Sequence, residues 1–279
     1  MAEITIYACS GNAGYRVIFN KLFVARKAMV IYMGKFVAIG GGENGHHNTK
    51  YETAPFDKEI IKLTGKTNPN FLFIGLANTY PDYYFEIMDG IYAGMYSCKT
   101  DYLRYDDIKN QNTARSKIKI ADIIYVGGGN TAKLMRLLRK YGIDKMLVEA
   151  YNDDKVLCGV SAGGICWCDW GNSDSEINSS KNRMIRVKGL GLIHILFAPH
   201  IVTEPNRAES VKQMMKRTYK VSAIELDNAA LEIVDNQYRI LTNDNNSVAQ
   251  KCYWKNREYI TENIMSDEFK DIEKLYEKR

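Results

Sequence analysis

From Phe36 onward the chain alternates short apolar runs with stretches whose apolar positions recur at helical spacing. The runs at 36–39 (FVAI), 71–77 (FLFIGLA), 123–126 (IIYV) and 156–160 (VLCGV) are brief and carry no charge, which predicts buried strands. Between the last two, Leu134, Leu137, Leu138 and Tyr141 recur at i, i+3, i+4 and i+7, behind Asn130 and Thr131, whose oxygens suit a helix start. Strands alternating with helices imply right-handed crossovers. The expected fold is therefore α/β: a single domain with a mainly parallel sheet and helices on both faces.

Beyond residue 161 the pattern loosens. The stretch 171–182, rich in Gly, Ser and Asn, reads as a loose connection. A strand at 195–198 ends in Pro199-His200, a polar-faced helix follows near 207–219, and strands are expected at 221–226, 229–234, 238–242 and 248–254. The closing stretch 267–278 reads as a helix with Phe269, Ile272 and Tyr276 on one face. No internal repeat or low-complexity tract interrupts this order. The first 32 residues look different, and Met33 opens directly into the first strand, so 1–32 reads as an N-terminal extension or mis-called start and 33–279 as the domain. A basic, acid-poor leader suggests a transit peptide, but its few serines and the lack of a small-residue cleavage site argue against one.

Composition narrows the function. Hydrophobic residues make up 46% of the 279 and charged ones 25%, as in an ordinary globular protein, and no apolar run approaches the roughly 18 residues of a membrane span. The net charge of +5 is modest, and +3 of it comes from Arg16, Lys21, Arg26 and Lys27 against Glu3, which argues against a nucleic-acid partner. Six scattered cysteines, Cys9, Cys98, Cys158, Cys166, Cys168 and Cys252, lie in or beside apolar runs, a pattern of reduced thiols in a cytoplasmic protein. Cys166 and Cys168 form a lone pair without further ligands and read as buried small hydrophobes, not a metal site.

The chemistry centres on Gly159-Val160-Ser161-Ala162-Gly163, a G-x-S-x-G pattern where an apolar run ends and a short helix, Gly164 to Trp167, can begin. That context suits a nucleophile elbow: the glycines permit the sharp turn and the helix start supplies N–H groups for a developing oxyanion. Gly127-Gly128-Gly129-Asn130 ends the preceding strand and stands on the same sheet edge, where open α/β sheets bind ligands; it can complete an oxyanion hole with the N–H of Ala162. A base is needed, and the chain has four histidines. His46 and His47 follow the first strand's glycine turn, His194 precedes an apolar strand and reads as structural or surface, and His200 ends a strand, the expected position for the base. Asp174, Glu204, Glu225 and Asp227 are candidates for the orienting acid, and spacing does not choose between them. Gly40 to Gly45 matches the G-x-G-x-x-G dinucleotide fingerprint, but a poor helix follows and no acid-tipped second strand, so no cofactor is expected.

These residues resemble the dipeptidase E and cyanophycinase group of serine peptidases, whose fold is related to class I glutamine amidotransferases. The likeness runs from about Phe36 to Asp235 and rests on FVAIGGGENG, IIYVGGGNTAKLMRLL, CGVSAGGICW, GNSDS, FAPH and IELDNAAL in the same order. It implies Ser161 as nucleophile, His200 as base, Gly129 and Ala162 as oxyanion donors, and Asp227 as the acid, with Asp174 the alternative. Asn130 and Arg207 would bind substrate, Arg207 occupying the place from which an N-terminal aspartate is recognised. The implied protein is a cofactor-independent peptidase acting on small peptides, a monomer or homodimer. An esterase or a small-molecule binding module on the same scaffold is the alternative; a glutamine amidotransferase is disfavoured because its elbow carries cysteine.

Overall fold

The computed structural model describes residues 34–45, 49–177, 183–204, 206–218 and 220–276. The proposed extension at 1–32, with Cys9, lies outside the described residues, as do His46 and His47.

The strands are β1 (Lys35–Ile39), β2 (Asn70–Ile74), β3 (Lys99–Tyr102), β4 (Ile123–Val126), β5 (Val156–Val160), β6 (Cys168–Glu176), β7 (Arg183–Lys188), β8 (Ile193–Ala198), β9 (Ser222–Asp227), β10 (Ala229–Val234), β11 (Gln237–Thr242), β12 (Val248–Lys255), β13 (Glu258–Asn263) and β14 (Lys270–Asp271). The helices are α1 (Ala54–Leu63), α2 (Pro81–Asp89), α3 (Tyr105–Lys109), α4 (Gln111–Ile120), α5 (Thr131–Lys140), α6 (Ile143–Asn152), α7 (Ala162–Ile165), α8 (Arg207–Met215) and α9 (Glu273–Tyr276).

An eight-stranded sheet has the order β14-β11-β10-β1-β5-β4-β2-β3. From β1 to β3 every pairing is parallel, and the β10, β11 and β14 side is antiparallel. The apolar runs are continuous because both sheet faces are buried and each run divides its residues between them. Phe36, Ala38, Leu72, Ile74, Ile124, Val126 and Leu157 join one core with α4 to α7, whereas Val37, Ile39, Phe71, Phe73, Ile123, Tyr125, Val156 and Cys158 join the other, against α1 and α2.

A second sheet of six strands, β13-β12-β9-β8-β6-β7, adds Ile193, Ile195, Phe197, Ile224 and Leu226 to the first of those cores. Its other face is covered by Val211 and Met215 of α8. One of the passages between the sheets takes a single residue: Asn228, in the left-handed conformation with φ 47°, separates β9 from β10.

Three expectations are corrected. The strand expected over 71–77 stops at Ile74, because Gly75 to Asn78 forms a turn closed by Asn78 N–H on the Gly75 carbonyl at 3.0 Å. The stretch 171–182 is not loose throughout: its first half, 171–176, belongs to β6, with Asn172 and Ser173 buried and satisfied by Ser210 Oγ at 2.9 Å and Thr131 Oγ1 at 3.0 Å, while 178–182 lie outside the described residues. Residues 267–278 form no continuous helix, since Lys270 and Asp271 pair with β11 and only α9, one turn, follows; Phe269 stays exposed while Ile272 and Leu275 are buried. Among the described residues no helix is long and apolar enough to cross a membrane.

The turn from β5 into α7 presses against β4. A Cβ on Gly159 would lie 2.4 Å from the Val126 carbonyl oxygen, and one on Gly163 only 1.8 Å from it. Gly163→Ala should therefore destabilise the fold by about 3 kcal/mol. Calorimetry should show this as a fall in Tm on the order of 10 °C; an unchanged Tm would refute this packing.

Candidate active site

Ser161 stands between β5 and α7 with φ 55° and ψ −113°, a strained conformation for a residue with a side chain. Its N–H donates to the Ile39 carbonyl at 3.0 Å, so the turn is tied to the end of the neighbouring parallel strand β1. Helix α7 is one turn long, as the sequence suggested, but begins two residues earlier, directly after Ser161; so short a helix offers local N–H groups rather than a sizeable dipole. Ala162 is its first residue, where no intrahelical acceptor is available. Across from it, a Cβ on Gly128 would lie 3.5 Å from Ser161 Cβ, and Gly129 has φ 133° with the Ala77 carbonyl where a Cβ would go, at 2.5 Å. Among the described residues, the N–H groups of Gly129 and Ala162 engage no backbone acceptor.

His200 and Asp227 come from the second sheet. β8 and β9 run parallel with Ala198 beside Glu225, so His200 and Asp227 leave adjacent strands two residues later. His200 has φ 56°, and its N–H donates to the Gly40 carbonyl at 2.7 Å, one residue along from the anchor of Ser161. Gly40 N–H in turn donates to the Ala229 carbonyl at 2.8 Å, just past Asp227. Asp227 is buried, and its Oδ2 accepts from Val202 N–H at 2.8 Å, Thr203 N–H at 2.9 Å and Thr203 Oγ1 at 3.1 Å. Its other oxygen borders the imidazole: a Cβ on Gly41, where φ is 151°, would lie 2.9 Å from His200 Nδ1 and 3.4 Å from Asp227 Oδ1. Gly41, in the glycine run at 40–42, thus clears the space beside the His200–Asp227 pair. Its functional place was missed in the sequence, although three glycines at a strand end were the available signal.

The other candidates are distributed around this pair. Glu204 N–H donates to the His200 carbonyl at 3.0 Å, and its carboxylate pairs with Arg207. Arg207 is fully buried rather than displayed, and its Nη1 donates to the Asn172 carbonyl at 2.7 Å and Oδ1 at 3.1 Å. Asp174 is exposed on β6. Asn130 caps α5, accepting from Lys133 N–H at 2.8 Å and donating to the Ser175 carbonyl at 3.3 Å. Glu225 lies buried one pleat behind Asp227, its carboxyl pushed up by burial beside Cys252 and Tyr259. His194 is exposed on β8, 3.2 Å from Asp169 Oδ2. Cys166 and Cys168 donate to the Gly163 and Gly164 carbonyls, and burial pushes both thiols up.

Burial, and secondarily the Arg207 guanidinium, pull the His200 imidazole below its ordinary value against the opposing fields of Glu204, Asp227 and Asp174. A hydroxyl on a strained turn, an imidazole neutral at physiological pH and a hydrogen-bonded carboxylate can together carry out nucleophilic acyl transfer.

The model of peptidase family S51 matches residues 36–241. The uncharacterized peptidase YgaJ of Bacillus subtilis (strain 168) is 27% identical over 206 residues, covering 74% of this chain and 85% of that protein. Among solved structures, a peptidase from an acI-B1 Actinobacterium superposes with a TM-score of 0.63 at 18% identity, over 86% of this chain and 97% of that one. A protein of Listeria monocytogenes EGD-e named for peptidase E gives 0.51 at 19%, over 83% and 98%. The fold is class I glutamine amidotransferase-like.

The electrostatics make a prediction independent of activity. By NMR, His200 should titrate below the usual value of about 6.5. Asp227→Asn should lower it further, because the carboxylate stabilises the imidazolium; an unchanged or raised value would show that it does not.

Proposed function

Because the chain belongs to peptidase family S51, we propose that it hydrolyses small peptides through a Ser161–His200–Asp227 triad and an acyl-enzyme. Ser161 Oγ attacks the scissile carbonyl carbon while His200 takes its proton, Nδ1 being turned to Asp227 so that Nε2 faces the serine. The N–H groups of Gly129 and Ala162 receive the oxyanion. The tetrahedral intermediate expels the amine, which leaves with the proton from His200, and water activated by the same imidazole releases the acyl group. The scheme requires no cofactor.

The observation that carries this reading is the common anchorage of the site. Ser161 hangs from Ile39 and His200 from Gly40, and the His200–Asp227 pair borders Gly41. Asp174, exposed and outside that bracket, is the weaker candidate for the third member. Beside His200 it suits the ammonium of a free N-terminus. Arg207 can take an N-terminal aspartate only by exchanging it for Glu204. The five described cysteines are all free and buried, which fits a reducing cytoplasmic setting.

Ser161→Ala should lower kcat about a million-fold and abolish labelling by a fluorophosphonate. Asp227→Asn should cost about 10⁴-fold and Asp174→Asn far less. Gly41→Ala should lower kcat while leaving KM nearly unchanged, because its Cβ displaces the imidazole. A panel of Asp-X, Glu-X and neutral dipeptides, with simple esters alongside, supplies the assay; a folded wild type that cleaves no peptide overturns the reading.

A further inference from the structure

A groove of about 1240 Å³ lies between α8 and the β6–β7 end of the six-stranded sheet, and its lining reaches Glu204, whose N–H donates to the His200 carbonyl at 3.0 Å. Asn206, Ser210, Gln213 and Arg217 line it at i, i+4, i+7 and i+11, one face of the helix and its C-terminal turn. From 206 to 217 this wall runs roughly 16 Å at about 1.5 Å per residue, matching about five residues of extended peptide. Met184 and Met214 add apolar, adaptable lining.

Charge is unevenly distributed along the groove. At the Glu204 end, Arg183 is paired with Glu176 at 3.2 Å and Glu204 with Arg207, which leaves Asp174, among the described residues, as the carboxylate without an ion pair there. The opposite end carries Arg186, Lys216 and Arg217. Arg186 is held in place there: its guanidinium lies 4.3 Å from the centre of the Trp170 ring, and Nη1 donates to the Arg217 carbonyl at 3.2 Å and to Thr218 Oγ1 at 2.9 Å. A fixed guanidinium recognises carboxylates with little further ordering.

We propose that this groove binds an extended peptide of about five residues, with its ammonium at Asp174 and carboxylates at its far end paired with Lys216, Arg217 and Arg186. The inference rests on the peptidase reading and names the substrate class: acidic oligopeptides, longer than dipeptides. The carboxylates can come from acidic side chains or from the peptide's own C-terminus.

The test is calorimetric binding to the full Ser161→Ala chain, which needs no turnover. The probes are Ala-Ala-Ala-Glu-Glu, its Gln-Gln counterpart, and the C-terminal amide of each. The Glu peptide should bind about tenfold tighter than the Gln amide, and added salt should weaken the preference. Loss on the Glu-to-Gln change assigns recognition to side chains, and loss on amidation assigns it to the terminus; both support the groove. In Lys216→Gln/Arg217→Gln the preference should fall below about twofold. Equal binding of all four peptides, or a preference that survives in that double variant, overturns the proposal. The double variant should bind the Gln-Gln amide as the Ser161→Ala chain does, which shows that its groove is intact. A wild type that hydrolyses nothing would sink the peptidase reading and leave the binding result to stand on its own.

Discussion

Two carbonyl oxygens at the end of one strand, those of Ile39 and Gly40, govern the arrangement of the site. They receive the backbone N–H groups of Ser161 and His200, residues 39 positions apart in sequence that reach this point from different sheets. Both donor residues have positive φ, which costs about 1–3 kcal/mol each, whereas a single hydrogen bond returns about 1 kcal/mol. The two bonds therefore do not hold the strained turns alone. The remainder comes from the strands behind them, since β1, β5 and β8 are buried along nearly their whole length and cannot shift without opening the core.

Much of this was legible in the sequence where burial and conformation leave one reading. The runs at 123–126 and 156–160 match β4 and β5 residue for residue, because strands covered on both faces must be apolar throughout. The elbow and the glycine cluster before it were legible because few other sequences fit so tight a turn. Asn172 and Ser173 concealed β6 by being polar, and their partners, Ser210 and Thr131, are distant in sequence. No alternation of apolar and polar residues states which strand pairs with which, so the division into two sheets was hidden as well. Arg207 shows the same limit. Its place near the histidine was readable, but its burial and its union with Glu204 and Asn172 belong to the tertiary structure.

Asn228 illustrates how one residue can carry a topological decision. Its left-handed backbone turns the chain from β9 to β10, and asparagine tolerates that conformation better than most residues. Its side chain is held as well, accepting from Asn243 Nδ2 at 3.1 Å and donating to Asp244 Oδ1 at 3.0 Å, while its carbonyl accepts from Ser247. The bend that delivers Asp227 to the imidazole is thus braced by the loop between β11 and β12.

The same bend divides the candidate site between two sheets. Ser161 belongs to the eight-stranded sheet, while His200 and Asp227 belong to the six-stranded one. The Gly40 carbonyl ties His200 back to the end of β1, so the spacing of hydroxyl and imidazole is set jointly by that bond and by the hydrophobic layer the two sheets share. Under the proposed mechanism, substitutions deep in that layer, far from any peptide, would tune proton transfer without touching a reacting group.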